Sequence, residues 1–204
     1  MSAPVFIKKP ASYDDIVALP EHLVGELVDG ELYVSPRPAA PHAKVASVLG
    51  MDLGGPFQRG RGGPGGWWIL DEPELHFGRD VLVPDLAGWR TERLPRVPHA
   101  PYFTLAPDWV CEVLSRSTAR LDRTLKLPRY GKADVSHAWV IDPALQTLEI
   151  FRLDRERWIL AGAFTGEDKV RAEPFDAVEL DLAALWTQEE EAAAAAAPEP
   201  PATK

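Results

Sequence analysis

A single cysteine, Cys111, stands in a chain of 204 residues, which excludes an internal disulfide and a cysteine-built zinc cage. It reads as a packing residue, suited to a reducing compartment. None of the five histidines shows ligand spacing such as His-x-x-x-His, so zinc chemistry on His42, His76 or His137 is the weakest functional reading. The start of the chain lacks a long apolar run: Lys8, Lys9 and Pro10 break it, whereas a spanning helix needs about 20 apolar residues. A cytoplasmic protein without membrane association is expected. Positive charge is scarce too, with 22 Lys and Arg against 31 Asp and Glu for a net charge of −9. Phosphate-binding surfaces are normally basic, so this balance counts against a nucleic-acid partner. Part of the deficit is local, because Glu189, Glu190, Glu191 and Glu199 against Lys204 account for −3 and leave −6 on the body. Net charge does not describe a local groove, and a carboxylate cluster that binds a cation is acidic by design.

Apolar residues at 46% and charged residues at 26% are ordinary for a globular chain long enough to bury one core. Residues 1–187 are expected to form a single domain. Residues 188–204, Glu-rich and then Ala- and Pro-rich, read as a low-complexity, disordered tail. Ser12 caps a short helix ending at Pro20, with Asp14 and Asp15 in its first turn. Leu23 to Val28 and Glu31 to Ser35 flank Asp29-Gly30, a hairpin signal. Val45, Val48, Leu49 and Leu53 fall at helical spacing from His42, and the Gly-rich stretch 54–66 ends that helix. Strands are expected at Trp67–Leu70, Glu74–Phe77, Val81–Ala87, Asp108–Leu114, His137–Ile141, Thr147–Leu153 and Arg157–Ala163. A helix from Ser117-Thr118 to about Tyr130 interrupts them, with Pro128 expected to kink or end it. This order implies an α+β (α/β) fold with a mixed, curved β-sheet flanked by helices. Trp67, Trp68, Trp89, Trp109 and Trp139 are expected to fill its core.

Two β-rich runs each carry one carboxylate: Asp85 in Val-Leu-Val-Pro-Asp-Leu-Ala and Glu112 in Trp-Val-Cys-Glu-Val-Leu-Ser. By two-residue alternation Glu112 shares a face with Val110 and Leu114, an apolar setting where a lone carboxylate is costly, so it needs a partner. For either acid alone a structural role is an even match: Asp85 closing a strand, Glu112 paired with an arginine. Two carboxylates about 4 Å apart repel by roughly 4 kcal/mol at an effective dielectric near 20, which a hard divalent cation relieves. Magnesium needs only one or two of them, and can polarise a phosphate and activate water. Downstream, Asp122 and Lys126 stand at i, i+4. They are either a surface ion pair or the source of an ammonium beside a developing negative charge. Arg116, Arg120, Arg123 and Arg129 around that helix form the one dense basic patch of the sequence.

The segments Gly25–Leu32, Ser35–Pro38 with His42, Val83–Ala87, Cys111–Thr118, Asp122 with Lys126 and Tyr130, and Trp139–Pro143 occur in an order that resembles the restriction endonucleases of the Uma-two type, within the PD-(D/E)xK nuclease superfamily. The resemblance spans roughly Ser12 to Leu153. It implies a restriction-endonuclease-like core in which Asp85 and Glu112, with the backbone carbonyl of Val113, bind Mg2+ or Mn2+. It also implies a DNA phosphodiester as substrate. The superfamily's lysine, two residues after the glutamate, is Leu114 here, so the resemblance assigns its role to Lys126. Glu26 resembles the acidic residue that the superfamily often adds from its N-terminal elements, with a hairpin-face ion pair as the alternative. Glu74, His42 and Asp122 are secondary candidates. Double-strand cleavage with one site per chain implies a homodimer. The competing readings are a catalytically inactive DNA-binding or assembly module on the same fold, and a metal-free two-carboxylate glycosidase with acids about 5 to 9.5 Å apart.

Overall fold

In a computed structural model of the chain, residues 6–8 and 10–186 are described. The expected tail at 188–204 lies outside them. Phe6–Lys8 forms β1 and Tyr13–Val17 forms α1, whose entry is fixed by the Asp15 carboxylate accepting the Ser12 N–H at 2.9 Å. The hairpin of β2 (Leu23–Val28) and β3 (Glu31–Pro36) turns at Asp29-Gly30 with φ of 54° and 73°, the left-handed pair that a two-residue turn requires. Helix α2 (Ala40–Leu53) buries Val45, Leu49 and Leu53, and the glycines after it carry a wider helical turn, Gly54–Gln58. Then come β4 (Trp67–Asp71), β5 (Leu75–Phe77), β6 (Asp80–Leu82), β7 (Leu86–Arg90) and β8 (Trp109–Val113). After α3 (Ala119–Leu121), a π-helical turn (Asp122–Lys126) and α4 (Leu127–Lys132), the chain adds β9 (His137–Asp142), β10 (Thr147–Asp154), β11 (Arg157–Thr165), β12 (Lys169–Val170) and β13 (Leu180–Asp181).

The class is α+β, as expected. The strands are shared among a five-stranded sheet, β1-β3-β2-β6-β5, a six-stranded one, β11-β10-β9-β8-β7-β4, and the β12-β13 pair. In the six-stranded sheet β8 and β9 are parallel and the other neighbours antiparallel. A parallel step needs a long crossover, and residues 119–132 supply it.

One expectation is corrected and another narrowed. Val81–Ala87 is not one strand: β6 ends at Leu82 in the smaller sheet and β7 starts at Leu86 in the larger. Pro84, which has no N–H to give a ladder, lies in the break. Of the two effects expected of Pro128, a kink or an end, the end does not occur, since the crossover helix runs on to Lys132. In the wide turn before it the Leu127 N–H reaches the Asp122 carbonyl, five residues back, rather than closing a regular α-turn.

Alternation along β8 sets the two faces. Trp109, Cys111 and Val113 join α2, Trp139 and Phe175 in one core cluster; Val110 joins Val28, Trp89, Tyr130 and Ala138 in another. Four of the five tryptophans expected in the core are there: Trp67, Trp89, Trp109 and Trp139 are buried. Trp68 is half-buried, its indole donating to the Leu94 carbonyl at 2.9 Å.

Candidate active site

Glu112 lies on the second of these faces, beneath the crossover helices, and Glu26 on β2 shares its strand face with Val28, so the same cluster draws both carboxylates together. Between them sits the Lys126 ammonium. Its Nζ is 3.0 Å from both Glu112 oxygens, 2.9 Å from Glu26 Oε1, 3.0 Å from the Val83 carbonyl and 3.6 Å from Asp122 Oδ1. Tyr130 O–H donates to Glu112 Oε1 at 2.5 Å, and the Val83 N–H donates to Glu26 Oε1 at 2.8 Å. Lys126 is 3% exposed and Asp122 4%, so the surface-pair reading of these two residues is overturned. Glu112, expected to need a partner, has two.

Burial by itself lowers the ammonium's pKa, but Glu112, Glu26 and Asp122 outweigh it and hold Lys126 well above the ordinary lysine range. Asp122 is pushed up to about 6, by burial first and against the pull of Lys126.

Asp85 enters from the β6–β7 break. Its Oδ2 accepts the Val113 N–H at 2.6 Å, tying the break to the end of β8, and its Oδ1 lies 3.2 Å from His42 Nε2 at the start of α2. Burial lowers the His42 pKa; the hydrogen bond and charge of Asp85 reverse this and raise it overall. His42 Nδ1 is buried without a hydrogen-bond partner. Glu26, His42, Asp85, Glu112, Val113, Asp122 and Lys126 all line one cavity of about 550 Å3.

Glu74 is not among them. Its Oε1 instead takes Tyr13 O–H at 2.8 Å and His76 Nε2 at 2.7 Å, in a separate cluster where His76 stacks on Tyr102. The basic patch is also partly spent. Arg123 lies 2.5 Å from Glu149, and Arg129 bonds Asp29 and, at 2.8 Å, Asp80. Arg116 and Arg120 remain exposed.

The donors on this cavity wall are hard oxygens, which suits magnesium or manganese over a soft metal. Among the described residues no three of His, Cys, Asp and Glu gather as a complete cage.

A family model described as "Putative restriction endonuclease", Uma2, matches residues 13–183. The chain belongs to the Uma2 family. The match takes in every residue of the cavity, and the nuclease character of the family agrees with its acidic, oxygen-lined floor. A crystal structure of "a putative nuclease belonging to DUF820" from Anabaena variabilis superposes with a TM-score of 0.70 at 24% identity, covering 86% of this chain and 97% of that one. At that identity the likeness speaks for the fold, which is restriction-endonuclease-like. No curated protein matches the chain. No helix among the described residues is long and apolar enough to cross a membrane.

Sequence reasoning gave no role to Tyr130, the Val83 carbonyl, or the Arg37–Glu72 pair at the cavity mouth. For Tyr130 a signal existed: Asp122, Lys126 and Tyr130 follow one another at four-residue spacing, which places side chains on one helix face.

Proposed function

We propose that this Uma2 protein is a metal-dependent endonuclease that hydrolyses DNA phosphodiester bonds. The observation that carries the reading is the buried Lys126 ammonium, 3.0 Å from Glu112 in a cavity that Asp85 also lines. It supplies the lysine that Leu114 does not, and does so from a different element. Asp85, Glu112 and the Val113 carbonyl would hold Mg2+ or Mn2+, which when bound polarises the phosphate and lowers the pKa of an attacking water.

The chain's own residues do the rest. The Val113 N–H fixes the direction of Asp85, and Tyr130 fixes that of Glu112. Glu26 and the Val83 carbonyl hold two of the three ammonium hydrogens of Lys126, leaving the third for Glu112. A phosphate oxygen entering from the cavity competes for that third hydrogen. The ammonium then faces the charge that develops on the phosphorus oxygens, in a site dry enough for the interaction to count. Double-strand cleavage would take a second copy of the chain, each copy bringing one site.

A second reading, a DNA-binding module without turnover, is favoured by one observation: both Glu112 oxygens are engaged by Lys126 and Tyr130. Supercoiled plasmid incubated with full-length protein and Mg2+ or Mn2+ separates the two. Nicked or linear product from wild type, and none from Asp85→Asn or with EDTA, is expected. Intact plasmid that is nevertheless shifted by the protein would replace the nuclease by the binding module.

A further inference from the structure

The cavity is acidic at its floor and carries exposed cations only at its mouth. Arg37 and Arg116 are its exposed basic side chains, and a polyanion approaching five carboxylates needs such groups to come near at all. Arg37 follows β3 on a short Pro36-Arg37-Pro38 run, where the flanking rings stiffen the backbone. Its side chain is 56% exposed and its Nη1 lies 2.6 Å from Glu72 Oε2; Nη2 donates more weakly to the Glu21 carbonyl at 3.4 Å.

Glu72 is itself unusual. Its φ is 42°, in the left-handed region that side chains other than glycine seldom adopt, and its N–H donates to the Asp85 carbonyl at 3.0 Å. The carboxylate that holds Arg37 is thus anchored to the backbone of Asp85, one of the acids on the cavity floor.

We propose that Arg37 is the phosphate-positioning residue at the mouth of this site and that Glu72 occupies its guanidinium until nucleic acid arrives. Binding then exchanges a carboxylate for a backbone phosphate. The inference rests on the nuclease reading and deepens it. A guanidinium recognises both anions with the same planar fork. An exposed ion pair has little net stability to lose, so the exchange is cheap, whereas bare Arg37 beside the acidic floor would be drawn inward.

The test is anisotropy of a short fluorescein-labelled DNA duplex with full-length protein in Ca2+, over a series of KCl concentrations, for wild type, Arg37→Ala, Glu72→Gln and the double variant. Arg37→Ala is expected to weaken binding about tenfold and to lower the slope of log K against log salt by about one. Glu72→Gln, which frees the guanidinium, is expected to tighten binding several-fold, and the double variant to match Arg37→Ala. Charge effects of two independent residues would add in the double variant; a double variant that instead matches Arg37→Ala shows that Glu72 acts only through the Arg37 guanidinium. Thermal melts of each variant guard against misfolding. Binding by wild type with equal weakening in both single variants, or with an unchanged salt slope, overturns the inference and leaves the nuclease reading standing. Absence of duplex binding by wild type at low salt overturns both.

Discussion

Lys126→Ala strands the carboxylates gathered around one ammonium. Glu26, Glu112 and Asp122 lie within 3.6 Å of Nζ or closer, and the Glu112 and Asp122 side chains are each only 4% exposed. Removing one partner of a buried ion pair costs about 3 to 5 kcal/mol, because the other is left charged in a poor solvent for it. That is a large share of the roughly 5 to 15 kcal/mol that a domain has in total. For a domain of this size it lowers Tm by about 6 to 20 °C. The sign with pH is fixed as well. Burial already raises the pKa values of Glu112 and Asp122 against the pull of Lys126; losing the ammonium raises them further, so the variant's native state binds protons more readily still than the unfolded chain does. The deficit is therefore full at about pH 8 and shrinks as pH falls toward about 5. Urea unfolding of wild type, Lys126→Ala and Lys126→Ala/Glu112→Gln at both pH values measures it, and the double variant recovers part of the loss by removing one stranded charge. A loss below about 1 kcal/mol at the higher pH, the range of an exposed pair, would refute the claim that this lysine is buried among carboxylates.

Asp122→Asn tests the same cluster from another side. With a folded pKa of about 6 against an ordinary aspartate value of 3.8, ionising Asp122 costs the fold about 3 kcal/mol above pH 6, relieved as pH falls from 6 to 3.8. The amide should therefore gain stability on wild type at about pH 8 and lose that advantage near pH 4, read by urea midpoints in chelated buffer. Tyr130→Phe removes the 2.5 Å donor to Glu112; it should cost about 1 to 3 kcal/mol in the same assay and lower plasmid cleavage by freeing Glu112 to swing. Gly63→Ala is purely structural. A Cβ there would lie 2.4 Å from Pro56 Cβ and 2.9 Å from its carbonyl oxygen, so a loss of about 1 to 3 kcal/mol is expected, with cleavage at low temperature unchanged.

Much of this architecture was legible because short-range chemistry decided it. Asp29-Gly30 specified its own turn, the Ser12 cap specified a helix, and alternation along Trp109–Val113 put Glu112 on the face of Val110 before any partner was known. What alternation cannot say is which partner arrives. Glu74 and Glu26 look alike as acids on short strands, yet Glu26 shares its strand face with the core residue Val28 and meets Lys126, while Glu74 meets Tyr13 and His76. The distinction lies in where the chain places each acid in one five-stranded sheet, Glu26 on its central strand β2 and Glu74 just before its edge strand β5, a long-range fact with no local signature. The basic patch misled for a similar reason: Arg123 and Arg129 are held by Glu149, Asp29 and Asp80, residues remote in sequence.

Pro128 was legible as a disturbance and illegible as a device. A regular α-helix turns about 100° per residue, so over the eight residues from Asp122 to Tyr130 it drifts about 80° off line. A proline at 128 would also press on the carbonyl four residues earlier. The wide turn at Asp122–Lys126 answers both problems. It opens the helix ahead of the proline and takes up rotation, so that Asp122, Lys126 and Tyr130 can all address Glu112 or its ammonium. A lysine carried on this helix can then put its charge on Glu112, the glutamate of β8. Replacing Pro128 by alanine would let the helix close to regular α-geometry and swing Tyr130 away from Lys126. If crystals or NMR of Pro128→Ala showed the wide turn intact, the turn would have to be credited to the buried charges rather than to the proline.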